Sequence, residues 1–470
     1  VQVTRDGGRT WSNVTANIRG VAKNAWVTSV DASHFEAGTA YVTLDLHTFG
    51  DITPHVYKTT DFGKSWTSLV TSGSPMRGYA HVVKEDLKNK DLLFAGTEFG
   101  LWVSLDAGGS WAQYKGGDFP NGVAVRDLAI HPRDNDLVIA THGRGIWIID
   151  DITPLRALNQ ATLQKDVAFL QVEPSVQKIQ AGGGWANGDA AFVGDNAPDD
   201  AVITYYQKKR HIFGDLKIEV LDPKGNVVGT VPTSKRRGLN RVKWGMRMPA
   251  PTVPPAASLA GGATTGPRLM PGTYTVRMTK DKQIYTTPLK VVLDPRVKWT
   301  ALDRQANFDL SMKVYNLLGQ MSQDVERIND VRLALLDRAS KTSDANFQSR
   351  LKAWADQVDD LRKKIVATKE GGAITGEERL REFTANLYGD LVSYEGRPSA
   401  MQTARADSLG RELGDVRTSF NSWVSANLPT INSELTKYKL ETISVPSSTA
   451  LPRGGGLGAS GGLPAWFGRW

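Results

Sequence analysis

Short runs of alternating apolar and polar residues fill the first 152 positions, and they return in the same order. TAYVTL (39–44) precedes HVYKT, DLLFAG (91–96) precedes GLWVS, and DLVIAT (136–141) precedes GIWIID. Each run has the length of a strand and is bounded by turn residues. From 164 to 299 the period of two continues in VAFLQV (167–172), VITYYQ (202–207), LKIEVLD (216–222), NRVKWGM (240–246), GTYTVRM (272–278) and PLKVVLD (288–294). Short strands separated by turns such as DPKGN predict an antiparallel β-sandwich of immunoglobulin or fibronectin style over 153–299. Its insert PTVPPAASLAGGATTGPRLMP (251–271) is rich in proline, glycine and alanine and reads as an exposed loop. Near residue 300 the period changes to 3.6. Leu310, Val314, Leu317, Met321, Val325, Ile328, Val331 and Leu335 form one seam, Leu351, Trp354, Val358, Leu361 and Ile365 a second, and Leu409, Leu413, Val416, Phe420 and Trp423 a third. Breaks at KTSD, KEGGAITG and YEGRPS then predict an antiparallel bundle of three or four helices over 300–442.

A longer repeat underlies the first region. TRDGGRTW (4–11), TTDFGKSW (59–66) and SLDAGGSW (104–111) share the pattern SxDxGxTW, with Ser and Thr interchangeable, and their aspartates lie 55 and 45 residues apart. That spacing suits a four-stranded propeller blade of roughly 40–50 residues. Asp6, Asp61 and Asp106 are each placed to accept backbone amides of their own turn, the glycine supplies a positive φ, and Trp11, Trp66 and Trp111 leave the turn to fill space between blades. An element repeated in every blade is architectural.

These boxes, closed by ATHGRGIWIIDDITPLRAL (140–158), resemble the C-terminal blades of bacterial Asp-box (BNR) repeat proteins related to the sortilin N-terminal propeller, many of which are labelled glycosyl hydrolases. The resemblance implies a partial β-propeller over 1–152. It also implies further blades from an N-terminal portion or a second chain, a signal peptide on that portion, and a secreted, periplasmic or outer-envelope location. The cysteine-rich module that follows the propeller in sortilins is lacking.

In such a blade the boxes occupy the turns between strands three and four, and the loops between strands two and three lie on the opposite, binding face. Those loops are DLHTFGDITPH (45–55), TEFG (97–100) and THGRG (141–145). They offer Asp45, Asp51 and Glu98, the imidazoles of His47, His55 and His142, and Arg144. Asp45 and Glu98 are the pair that equivalent loops of adjacent blades bring together, as a glycosidase requires, although acidic residues in loops are commonly just solvated. His142 and Arg144 fit an anion site, or a cap on the last blade paired with Asp150 or Asp151.

Composition narrows the chemistry. The 470 residues contain no cysteine, which excludes disulfides, thiolate metal sites and cysteine nucleophiles. A net charge of +8 is spread along the chain, and the clusters KKRH (208–211) and SKRR (234–237) read as exposed turns, so nucleic acid is not expected. No apolar run is long enough to span a membrane. Metal, nucleotide and nucleophile-elbow motifs are absent, and no cofactor is expected. The glycine-rich tail 443–470 ends in Trp466, Phe467 and Trp470, which fit docking to a partner or packing back on the sandwich. Two functions follow: a binding or scaffold component that recognises a protein, peptide or glycan within a larger assembly, and, as the alternative, a glycoside hydrolase using Asp45 and Glu98.

Overall fold

The computed structural model describes residues 1–170, 172–179, 199–369 and 376–445. Trp466, Phe467 and Trp470 lie outside the described residues.

The three repeated octapeptides fold into one turn, built three times. Asp61 Oδ1 accepts from Ser65 N at 2.9 Å and Thr59 Oγ1 at 2.8 Å, Asp61 Oδ2 accepts from Ser65 Oγ at 2.7 Å, and Thr59 Oγ1 accepts from Gly63 N at 2.9 Å. The corresponding distances are 2.9, 2.8, 2.7 and 2.8 Å around Asp6 and 2.8, 2.8, 2.6 and 2.9 Å around Asp106. Gly63 has φ +77°, and a Cβ there would lie 2.7 Å from Val14 Cγ2, so this corner excludes a side chain.

Hydrogen bonds from Thr10 and Thr4 lower the Asp6 carboxyl to about 2, and those from Ser65 and Thr59 lower Asp61 to about 2. An unfolded aspartate titrates near ~3.9. Carboxyls depressed in the fold contribute stability that is present above about pH 4 and lost as pH falls toward 2. Acid titration followed by tryptophan fluorescence is therefore expected to show loosening of this region within that window. An Asp61→Asn variant is expected to lose less stability across the same window.

The second and third of these turns join the third and fourth strands of successive antiparallel sheets, and the first joins the strands of a two-stranded one. β1 (Gln2–Val3) pairs with β2 (Ser12–Asn13). β3 (Trp26–Ala32), β4 (Ala40–Leu46), β5 (Asp51–Thr59) and β6 (Thr67–Ser68) form a four-stranded meander. β7 (Ala80–Glu85), β8 (Leu93–Thr97), β9 (Gly100–Ser104) and β10 (Ala112–Gln113) repeat it, and β11 (Val125–Ile130), β12 (Leu137–Thr141) and β13 (Ile146–Ile149) make a three-stranded sheet. Apolar layers fill the spaces between sheets: Tyr41, Val56, Ala80, Val83 and Trp102 between the two four-stranded sheets, and Val82, Phe94, Leu101, Val125 and Ile139 between the second of these and the three-stranded sheet. At Gly96 the approach is so close that a Cβ would sit 2.6 Å from Val125 O.

The outer flanks of this array are bare. Trp111 is 5% exposed and donates from Nε1 to Leu69 O of the preceding sheet at 3.0 Å, whereas Trp11, at the same place in the first turn, is 59% exposed. On β3 Val27 and Val30 are 38% and 51% exposed, and on β13 Ile146 is 73% exposed.

The chain leaves β13 through α1 (Thr153–Arg156) and α2 (Gln160–Gln164). It then enters two further sheets built from β14 (Val167–Phe169), β15 (Ser175–Gln177), β16 (Ala201–Gln207), β17 (Leu216–Leu221), β18 (Val227–Val231), β19 (Gly238–Trp244), β20 (Gly272–Lys280) and β21 (Gln283–Leu293). Their orders are β14-β16-β19 and β15-β21-β20-β17-β18. Alternate positions such as Ile203, Tyr205, Ile218, Val220, Val276 and Met278 are buried, as the period of two requires. The described residues of Val1–Val176, Gly184–Trp244 and Thr273–Val292 form one compact unit, so most of the two-sheet region clusters with the repeated sheets.

The second unit comprises the described residues of Gln177–Gly183, Gly245–Gly272 and Leu293–Trp470. Its helices are α3 (Ala301–Lys341), α4 (Ala345–Ile365), α5 (Leu380–Ser393) and α6 (Ala400–Lys437). Thr300 with Asp303 and Ser399 with Gln402 form capping boxes that start α3 and α6. The eight apolar positions of the first seam are all buried, with Leu351, Val358, Phe420 and Ile431 facing them in one core.

The segment 251–271, expected to be an exposed loop, is instead docked on the helices, and this corrects the compositional reading. Ala263 is buried in the helical core, Tyr388 Oη donates to Thr265 O at 2.8 Å, and Arg381 Nη1 donates to Ser258 O at 3.0 Å. Its small residues permit backbone approach: a Cβ on Gly262 would lie 2.1 Å from Ala385 O of α5.

Candidate functional site

The first strand of each repeated sheet carries a β-bulge at an equivalent position. Register shifts fall between Val27 and Ser29 in β3, Ala80 and Val82 in β7, and Val125 and Asp127 in β11. A bulge inserts one residue and re-aims its side chain. Thr28, His81 and Arg126 are the residues so placed. Thr28 Oγ1 donates to Ala80 O at 3.1 Å, and Arg126 Nη1 lies 3.4 Å from His81 Nδ1, so each bulge reaches the next.

This row meets the loops that the sequence singled out. Buried Asp45, at the end of β4, holds the Nδ1 of His47 at 2.7 and 2.8 Å and accepts from His47 N at 2.9 Å. The His47 ring stacks on Tyr79 with centroids 4.6 Å apart, Tyr79 meets His81 edge-on at 4.9 Å, and His81 Nε2 lies 3.0 Å from Glu98 Oε2. Arg126 Nη2 is 3.9 Å from the same Glu98 oxygen. Asp45 and Glu98 are thus joined through three rings. Asp51 and His55 form a separate pair at 2.7 Å, with Thr53 Oγ1 donating to Asp51 at 2.6 Å. His142 and Arg144 are exposed on the β12–β13 loop, where Trp147 Nε1 donates to Arg144 O at 2.9 Å. Asp151 Oδ1 accepts from Thr153 N and Asp151 Oδ2 from Glu173 N.

The electrostatics assign protonation states. Burial raises the Glu98 carboxyl, but hydrogen bonds from His81 and Tyr79 and the Arg126 charge outweigh it and hold Glu98 below the ordinary range. Burial lowers His81, the hydrogen bond to Glu98 opposes this, and the Arg126 charge reinforces it, leaving His81 low. Because the guanidinium only donates, His81 Nδ1 is the acceptor and Nε2–H donates to Glu98. Burial and Glu98 together raise the Tyr79 hydroxyl. At neutral pH the cluster therefore holds an anionic Glu98, a neutral His81 and a cationic Arg126. This yields a two-signed expectation. Glu98→Gln lowers the His81 midpoint further, whereas Arg126→Gln raises it, as read by NMR titration of the ring; shifts of one sign in both variants contradict the assignment.

An ionised carboxylate can anchor a cation, accept a donor or act as a base; a general acid needs its pKa raised. Around the cluster, Phe49 and Ile52 beyond β4, Phe99 in the β8–β9 turn and Trp26 at the start of β3 are exposed. Tyr79, His81 and Arg126 escaped the sequence reading because AHVVKE reads as an ordinary alternating strand and a bulge leaves no mark on alternation. The available signal was the shared position at the start of each first strand. Among the described residues no cluster of His, Asp and Glu could hold a metal ion, and no helix is long and apolar enough to cross a membrane.

No family model and no curated protein matches the chain. Solved structures similar to it include YCF48 bound to D1 peptide, at 20% identity over 32% of this chain and 44% of that one, with a TM-score of 0.23. A GH74 enzyme of Niastella koreensis is 14% identical over 57% of this chain and 46% of its own, also at 0.23. The extracellular domain of a one component system from B. thetaiotaomicron is 10% identical over 63% and 34%, again at 0.23. The chain spans less than half the length of each of these proteins. TM-scores this low carry no inference about its function, and its architecture is read from its own strands.

Proposed function

We propose that this chain is a binding and scaffold component of a larger assembly, an Asp-box propeller protein of the sortilin-like kind whose loop face recognises a peptide, protein or glycan. The observation that carries this reading is the loop face itself. Arg126 and the ionised Glu98 stand among exposed Trp26, Phe49 and Phe99, a combination of charge and aromatic surface suited to recognition. The bare flanks at Val30 and Ile146 support completion of the ring by further blades. The two sheets after α1 are of immunoglobulin-like type in this reading. Strands one, three and six lie in one sheet and two, eight, seven, four and five in the other, which supports a spacer role. Secretion or an envelope location follows from the resemblance alone.

Glycoside hydrolysis by Asp45 and Glu98 is the second reading. The depressed Glu98 carboxyl leaves it a base or nucleophile and gives no general acid. The two readings separate in one experiment. A glycan and peptide array is expected to show retention that falls roughly tenfold or more in Arg126→Gln. Glycan cleavage lost in a folded Glu98→Gln variant would instead establish the hydrolase.

A further inference from the structure

The two basic clusters of the sequence, KKRH (208–211) and SKRR (234–237), meet at one end of the two-sheet region. His211 N donates to Lys235 O at 3.0 Å, Gln207 Nε2 to Arg236 O at 3.1 Å and Lys235 Nζ to Gly214 O at 3.2 Å, which fastens the β16–β17 connection to the β18–β19 connection. The β20–β21 turn joins them, with Asp281 N donating to Asp215 O at 2.9 Å. Among these cations lies an apolar point. Buried His211 anchors the connection from within, while the next two residues, Ile212 and Phe213, are 65% and 85% exposed. Gly214 then turns the chain back at φ +89°, so close to the β20–β21 turn that a Cβ would collide with Asp281 Oδ1. This corner holds the two apolar side chains outward.

The charge around this point is mostly of one sign. The connections 208–215, 232–237 and 281–282 carry seven lysines and arginines against two carboxylates, Asp215 and Asp281. Lys209, Arg210, Lys235, Arg236, Arg237 and Lys282 are all exposed. Ile284, 64% exposed near the start of β21, adds apolar surface beside the turn. A cationic rim selects an anionic partner, and adjacent exposed apolar side chains select one with an apolar interior. An anionic lipid bilayer presents both in that order, with phosphates at the level of the rim and acyl chains beneath for Ile212 and Phe213. A nucleic acid would use the charge and could stack a base on Phe213, but it leaves the aliphatic Ile212 in water.

We propose that this end of the two sheets is a docking surface for an anionic lipid bilayer. Ile212 and Phe213 enter the boundary between headgroups and acyl chains, and the surrounding cations pair with lipid phosphates. The attachment is peripheral and needs no membrane span. It shares no residue with the loop face and does not depend on the function proposed there.

The test is cosedimentation of the whole chain with vesicles of phosphatidylcholine alone and of phosphatidylcholine mixed with phosphatidylglycerol, at fixed ionic strength. Binding is expected to the mixed vesicles and not to the neutral ones. Phe213→Ala, at an exposed position where folding is not at stake, is expected to weaken it roughly tenfold or more. Arg236→Gln combined with Arg237→Gln is expected to weaken it roughly tenfold as well. Absence of binding to the mixed vesicles by folded wild-type chain overturns the proposal. So does unchanged vesicle binding in Phe213→Ala, which would show charge attraction alone. Release from the mixed vesicles by duplex DNA at equal phosphate concentration would also overturn it and assign the surface to nucleic acid.

Discussion

Arg156→Ala is expected to destabilise the first unit by about 3–5 kcal/mol, far more than its place in a short exit helix suggests. Its guanidinium grips a fully buried carboxylate: Nε donates to Asp86 Oδ2 and Nη2 to Asp86 Oδ1, both at 2.8 Å. Nη1 reaches Asn135 Oδ1 at 2.7 Å, which ties the loop after β7 to the loop after β11. Truncation strands the Asp86 charge in a fully buried site. Asp86 keeps the amides of Lys88 and Asn89, at 2.9 and 2.8 Å, but two backbone dipoles do not replace a cation. The double variant Asp86→Asn with Arg156→Met is expected to lose less than Arg156→Ala alone, because no charge is then stranded. Urea unfolding read by tryptophan fluorescence checks both variants, with far-UV circular dichroism reporting the helical unit separately. Equal losses in the single and double variants contradict the account.

The second large effect is a contrast between equivalent residues. Trp111→Ala is expected to cost about 3–5 kcal/mol, because the side chain is buried against the preceding sheet with Met76 and Leu69 beside it. Trp11→Ala, in the same octapeptide, is expected to cost far less, about 0.5 kcal/mol, because the side chain is 59% exposed and its Nε1 donates to Gly8 O of its own turn at 3.1 Å rather than to a neighbouring sheet. The octapeptide turn is the same in both, so the difference isolates the stacking of one sheet on the next. Similar costs at the two positions would show that the tryptophan serves its own turn rather than the space between sheets.

The elements that sequence displays best are those whose chemistry is local. Each repeated octapeptide specifies its turn by side chains two to four residues apart, and each long helix announces itself by a 3.6 period with a cap at its start, as at Thr300 and Ser399. The docking of 251–271 was hidden because proline, glycine and alanine carry no period. What matters there is the absence of side chains where Gly262 meets α5, a property of two distant segments jointly. The site was half legible for a related reason. Asp45, His47 and Glu98 sit in loops at equivalent places in successive repeats, and the structure links them. Tyr79, His81 and Arg126 enter through the start of the next sheet, and the latter two are turned toward the cluster by bulges that alternation cannot reveal. Asp51 with His55, and His142 with Arg144, share the loop face without joining the cluster's contacts.

The central claim is that this chain works as part of a larger assembly seated on its bare sheet flanks. Native mass spectrometry of the particle carrying this chain, before and after the paired changes Val30→Asp and Ile146→Asp, tests it most directly. The account predicts a particle heavier than this chain, with further sheets supplied by the same polypeptide or by another, and loss of compactness or of the partner when the flanks become charged. A particle of this chain's mass alone, unaltered by both changes, would contradict it.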